Sequence, residues 1–320
     1  MIQECERCRE LLSERMPRFD SVRKVRGGVP LLRDHIVDQG ELLFPRAFEL
    51  LFNPHQWTAD TIPNFPVLSH DQTRMCFTFH VVNAPLPFAA ACVRITCDQC
   101  GLSHRPVVLN AMLIVLASHL TAAGLGTGLN PRRLSEFFRA LHSDAGSINE
   151  FAAPDSVPRA EIFAGALWLA FHEFGHIVGN SLVGPEQVEG PESSRVTIAG
   201  ELNADLAAFR VLHHRTIANR PMLDNFPVLL CGVEIILRTI AAMSGFDGRP
   251  RLLRETKSQV ILTHPSPWQR WSVIRAYAAI DFKLGSGDRS FYLNHRKRLL
   301  GNFNRAINTM RLAEHFDAAN

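Results

Sequence analysis

At 320 residues and 35.8 kDa, with 46% hydrophobic and 20% charged residues, the chain can bury a full core as one large domain or two modest ones. Its 34 basic and 31 acidic residues leave a formal net charge of +3, which excludes the strongly basic balance of a dedicated nucleic-acid binder. Nucleic acid is only weakly indicated as a partner, through the local clusters "SVRKVR", "NPRRLSEFFR" and "NHRKRLL".

The N-terminal text "MIQECERCRELLSER" is charged from its first turn and has no apolar core followed by a small-residue cleavage site, so no secretory signal is expected. Seven cysteines, an odd number, fit a reducing cytoplasm better than a disulfide framework, and a cytoplasmic location is the expectation. Residues 1–105 read as a small mixed region. Its text is turn-rich ("GGVP", "NPHQWTADTIPNFP", "NAPLP"), and "RMCFTFHVV" and "ACVRITC" alternate as strands do. Two C-x-x-C units fall in it, Cys5 with Cys8 and Cys97 with Cys100. Paired units of this kind suggest a structural zinc site; their wide separation leaves unliganded or redox-active thiols as the competing reading.

From Pro106 to residue 320 helices are expected: "VVLNAMLIVLASHL", "RRLSEFFRALH", "AEIFAGALWLAFHEFGHIV", "AGELNADLAAFRVLHH", "VLLCGVEIILRTIAAM" and "PWQRWSVIRAYAAIDF". The fold class is therefore α+β, predominantly helical, with the mixed region 1–105 ahead of a helical domain 106–320. The longest apolar runs carry Asn110 and His119 in one case, and Glu234 and Arg238 in the other, so no membrane span is expected. "HSDAGSINEFAAPDSVP" and "VGPEQVEGPESSR" read as surface loops.

The chemistry lies in "LAFHEFGHIVG". His172 and His176 stand four residues apart, so on a helix both rings project from one face and can share a metal ion, with Glu173 beside the first of them. The surrounding Ile162, Phe163, Leu167, Trp168, Phe171, Phe174, Ile177 and Val178 place that helix at the core. Gly175 costs it about 1 kcal/mol relative to Ala, which a close neighbour at that point would justify. A hydrolytic zinc site commonly uses three protein groups and leaves one position for water. In "AGELNADLAAF", Glu201 is the candidate third ligand. Asp205, one turn further on the same face, is spaced to accept the far N–H of a ligand histidine and fix its tautomer. An isolated E-x-x-x-D would ordinarily be a solvated acidic face; its place after the H-E-x-x-H helix favours the metal.

"HEFGH" followed by "ELNAD" resembles the gluzincin clan of zinc metallopeptidases over residues about 160–210. Within that clan the chain is similar to CAAX-prenyl-type endopeptidases, ImmA/IrrE-like bacterial peptidases and phage-exclusion Lit-type peptidases. "THPSPWQRW" adds His264 and Arg270 where the CAAX-type enzymes carry a T-H-P segment and an arginine six residues beyond its histidine. The resemblance implies a gluzincin-like metallopeptidase core with one catalytic Zn2+ held by His172, His176 and Glu201. It further implies Glu173 as general base, and His264 and Arg270 as catalytic residues that stabilise the oxyanion and order the site. A specific intracellular protein or peptide would be the substrate, in a bacterial stress or phage response. The substrate backbone would align on a strand edge, for which "GSINEFAAP" and a hairpin-like pair near "CFTFHVV" are candidates. The alternative is a regulatory or sensor protein on the same scaffold with little or no proteolysis. The intact set His172, Glu173, His176 and Glu201 argues against it.

Overall fold

The structure is a computed structural model that describes Glu6, Arg7, Glu10, Gln99, Asn130, Arg132, Arg133, Glu136 and residues 75–82, 90–92, 95–97, 103–124, 160–179, 198–214, 225–243, 265–281 and 286–317. The main elements among these, in chain order, are β1 (Met75–Val82), β2 (Ala90–Cys92), β3 (Ile95–Thr96), β4 (Ser103–Asn110), α1 (Ala111–Gly124), α2 (Ala160–Gly179), α3 (Ile198–His214), α4 (Asn225–Met243), α5 (Pro267–Asp281) and α6 (Ser286–Asp317). Helix predominates, as expected.

β4 is the centre of the sheet. It runs parallel to β1, from Met75 opposite Ser103 to Val82 opposite Asn110, and antiparallel to β2 and β3. Ala90 pairs with Leu109 and Thr96 with Ser103 in one continuous register, so β2 and β3 are two ends of a single arm, the one legible in "ACVRITC". Two expectations are corrected here. Among the described residues the strand in "CFTFHVV" pairs with β4, in parallel, and not in a hairpin-like pair. The text from Pro106 is not helical at once: "VVLN" completes β4, and α1 starts only at Ala111. A short buried apolar run has no periodicity that separates strand from helix, and pairing with β1 decides it. Val107 and Leu109 are accordingly buried on the strand, and β4 passes across residue 105.

α2 is the buried axis of the helical body. Every residue from Glu161 to His172 is buried, which a helix apolar on all sides requires. α3 and α4 pack along it, α5 rests on α3 and α4, and α6 covers α1 and α4. The charges inside the apolar α4 are satisfied. Glu234, fully buried, accepts from Arg238 one turn on (2.7 and 3.1 Å) and from both Nε and Nη2 of Arg296 on α6 (2.6 Å each). His295 of α6 reaches Glu161 at the start of α2 (2.8 Å). Among the described residues no helix is long and apolar enough to cross a membrane.

The α2–α4 crossing depends on two glycines. A Cβ on Gly165 would lie 2.6 Å from Ile236 Cγ1 and against the Gly232 carbonyl oxygen; one on Gly232 would lie 2.8 Å from Gly165 N and against the Glu161 carbonyl oxygen. Backbone cannot rotate away as a side chain can, so the helices would have to part. Gly232→Ala is expected to cost about 3 kcal/mol or more, read as a lower denaturant midpoint. Gly301→Ala on α6, whose new methyl would meet nothing within 4 Å, should instead stabilise by about 0.5–1 kcal/mol through helix propensity. A Gly232→Ala protein as stable as the parent would contradict this packing.

Candidate metal centre

Three helices deliver the polar groups. α2 supplies His172, Glu173 and His176, α3 supplies Glu201 and Asp205, and α5 supplies Arg270. The neighbour that justifies Gly175 is α3. A Cβ there would lie 2.9 Å from Ala204 Cα and 3.0 Å from its carbonyl oxygen. This close approach lets Glu201, three residues before Ala204, reach the histidines. Its carboxylate oxygens lie 3.3 Å from Nε2 of His172 and 3.3 Å from Nε2 of His176, and the two Nε2 atoms are 3.0 Å apart. One ligand atom from each of the three residues falls within 4.8 Å of the others.

Behind this group stands Asp205, with no exposed surface. Its Oδ1 is 2.8 Å from His172 Nδ1, so Nδ1 carries a proton and donates; with a metal bound, Nε2 would present its lone pair to the ion. Arg270 grips the same carboxylate with both arms of its fork, Nε to Oδ2 at 2.8 Å and Nη2 to Oδ1 at 2.5 Å. Arg270 Nη2 lies 3.2 Å from His172 Nδ1 because both donate to Oδ1. Trp168, one turn before His172, closes the back of the site. Its indole N–H donates to the Asp205 carbonyl (3.2 Å), and its ring lies 5.3 Å from the Arg270 guanidinium carbon.

Arg270 owes its position to the start of α5. Ser266 Oγ accepts from Gln269 N (3.3 Å), Gln269 Oε1 accepts from Ser266 N (2.8 Å), and Pro267 takes the first helical position. This is a reciprocal capping box with proline at N1. It fixes the first turn, from which Arg270 projects.

The electrostatics of the cluster favour a positive charge at its centre. Burial raises the pKa of Glu201, but hydrogen bonds from His172 and His176 outweigh it and hold the carboxyl well below the usual carboxylate range. Burial and the Arg270 charge push His172 down, yet the bonds to Asp205 and Glu201 carry its pKa above the ordinary histidine value. Asp205 is likewise held low, with Arg270 overcoming its burial. Two imidazole nitrogens and a carboxylate oxygen form a donor set that could hold a metal ion. The open side is marked by exposure: the His176 side chain is 21% exposed and that of His172 4%. Glu173 is half-buried, and its charge contributes to raising the Arg270 pKa.

The structure thus gathers His172, His176, Glu201 and Asp205 in the arrangement expected of them. Arg270, expected to stabilise the oxyanion and order the site, places its guanidinium on Asp205. His264, Cys5, Cys8 and Cys100 lie outside the described residues, as does "GSINEFAAP". Cys97 is buried, directly after β3. Trp168 was read from sequence only as core. The signal for its second role is its place four residues before His172, combined with the need of a buried indole N–H for an acceptor.

Asp205→Asn keeps the shape of the carboxylate but weakens it as an acceptor for His172, and is expected to reduce metal affinity about ten- to a hundredfold in chelator competition. Asp205→Ala is expected to fail differently. It leaves a buried Arg270 without its counter-charge and should cost about 3–5 kcal/mol of stability. Unchanged metal affinity in the Asn variant would separate Asp205 from the centre.

Comparison with protein-family models, with curated proteins and with solved structures finds no match for this chain, so the reading of the site rests on its own geometry.

Proposed function

We propose that the chain is a zinc-dependent endopeptidase of gluzincin type that cleaves a specific protein or peptide in the cytoplasm. The observation that carries this reading is the convergence of His172, His176 and Glu201 within 4.8 Å, with a half-buried Glu173 on the same turn of the same helix. His172, His176 and Glu201 would hold the ion. When bound, zinc supplies Lewis acidity, lowering the pKa of a water molecule and polarising the scissile carbonyl.

The remaining chemistry belongs to the chain. Glu173 accepts a proton from the attacking water and returns it to the leaving amine. Asp205 and Arg270 hold the His172 ring in one orientation, so no reorganisation is needed as charge develops. His264 donates a hydrogen bond to the developing oxyanion. It precedes Pro265 and Ser266, which lead into the capped turn bearing Arg270.

Two substitutions test the roles. Glu173→Gln should retain metal and lose essentially all hydrolysis, because an amide cannot accept the proton. His264→Ala should retain metal and lose about a hundredfold in turnover. The measurement is a proteome-wide comparison of new N-termini after expression of the parent and each variant, with metal content determined in parallel. A Glu173→Gln protein that produces the parent's N-termini ends the peptidase reading.

A further inference from the structure

α6 carries a feature that hydrolysis does not use. From Arg289 to Leu312 and on through Ala313 the sequence contains no acidic residue, although acids and bases nearly balance over the chain. The same stretch contains Arg289, Arg296, Lys297, Arg298, Arg305 and Arg311. Arg296 turns inward to Glu234; Arg289, Lys297, Arg298 and Arg305 are exposed. At 100° per residue the exposed positions Arg289, Ser290, Leu293, Asn294, Lys297, Arg298, Gly301, Asn304, Arg305 and Asn308 form one continuous arc of about 180°. From Arg289 to Arg305 that face is about 24 Å long.

Its composition selects the partner. A helix that lies in a lipid surface needs an exposed apolar face, and Leu293 is the only large hydrophobic residue exposed among the described residues. Here cations alternate with asparagines, which hydrogen-bond phosphate and sugar oxygens. Gly301 lies at the middle of the arc with open space beyond it. An exposed mid-helix glycine costs about 1 kcal/mol relative to alanine. It also removes the side chain that would keep a phosphate backbone away from the helix, between Arg298 and Arg305. Exposed Arg132, by contrast, has Glu136 one turn on (3.2 Å). Solubility alone favours such mixed signs over a single-sign face.

We propose that the outer face of α6 binds the phosphate backbone of a nucleic-acid duplex without reading its sequence. α6 packs on α1 and α4, whereas the metal centre is built from α2, α3 and α5, so this surface does not depend on the peptidase reading. With three to four exposed cations engaged, log affinity should fall with log salt at a slope of about −3.

The test is fluorescence anisotropy of the full-length protein with a labelled 30-base-pair mixed-sequence DNA duplex, and with the RNA duplex of the same sequence, from 50 to 200 mM salt. Salt-dependent binding to either duplex is expected, and the two arms identify which nucleic acid fits better. Combining Arg289→Gln, Lys297→Gln and Arg298→Gln should weaken binding at least tenfold and flatten the slope, with the melting temperature within about 2 °C of the parent because the three residues are exposed. Arg132→Gln should bind as the parent does. The proposal is overturned if neither duplex binds in a salt-dependent way, if the folded triple variant binds as tightly as the parent, or if phosphatidylserine vesicles bind and the duplexes do not.

Discussion

The carboxylate of Asp205 is the junction on which the site depends. It lies on α3, takes a hydrogen bond from His172 of α2 and both arms of Arg270 from α5, and has no exposed surface. Such a pair is not primarily a source of stability, because taking two charges out of water costs about as much as their attraction returns. What it supplies is geometry. With Nδ1 committed to Asp205, the imidazole of His172 cannot flip without leaving a buried carboxylate short of a donor, and its Nε2 is held facing Glu201 and His176.

That geometry requires helices closer together than ordinary side chains allow. Gly175 admits the backbone of α3 at Ala204, and Gly165 with Gly232 admits α4 on the other side of α2. The glycine inside H-E-F-G-H is therefore part of the centre although it carries no ligand atom. Burial of α2 through His172 makes a rigid floor, and the half-buried Glu173 and His176 form the side that solvent can reach. A metal bound there would be held against packed helices on one side and would face solvent on the other.

Much of the centre was legible because helical periodicity is a strong local constraint. The i, i+4 spacing of His172 with His176, and of Glu201 with Asp205, specifies which groups share a face before any tertiary structure is known. The cost of Gly175 in a helix correctly pointed to a close neighbour. Contacts between distant segments were less accessible. Nothing local distinguishes the Arg270 fork on Asp205, 65 residues away, from an arginine aimed at substrate. The helix that carries it, "PWQRWSVIRAYAAIDF", was nevertheless legible. "VVLN" was assigned to a helix because a buried strand and a buried helix share one apolar signature, and the parallel partner that settles the matter lies almost thirty residues upstream. Likewise Glu234 reads as an isolated charge in an apolar run, and its counter-ion Arg296 comes from another helix 62 residues later.

His172, His176 and Glu201 are placed to hold a metal ion. Anomalous diffraction from crystals of the zinc-supplemented protein, recorded on both sides of the zinc edge, tests it most directly. The expected result is an anomalous peak bonded to Nε2 of both histidines and to a Glu201 carboxylate oxygen at about 2.0–2.2 Å. A map with no peak there, or with peaks only at cysteine sulfurs, would contradict it.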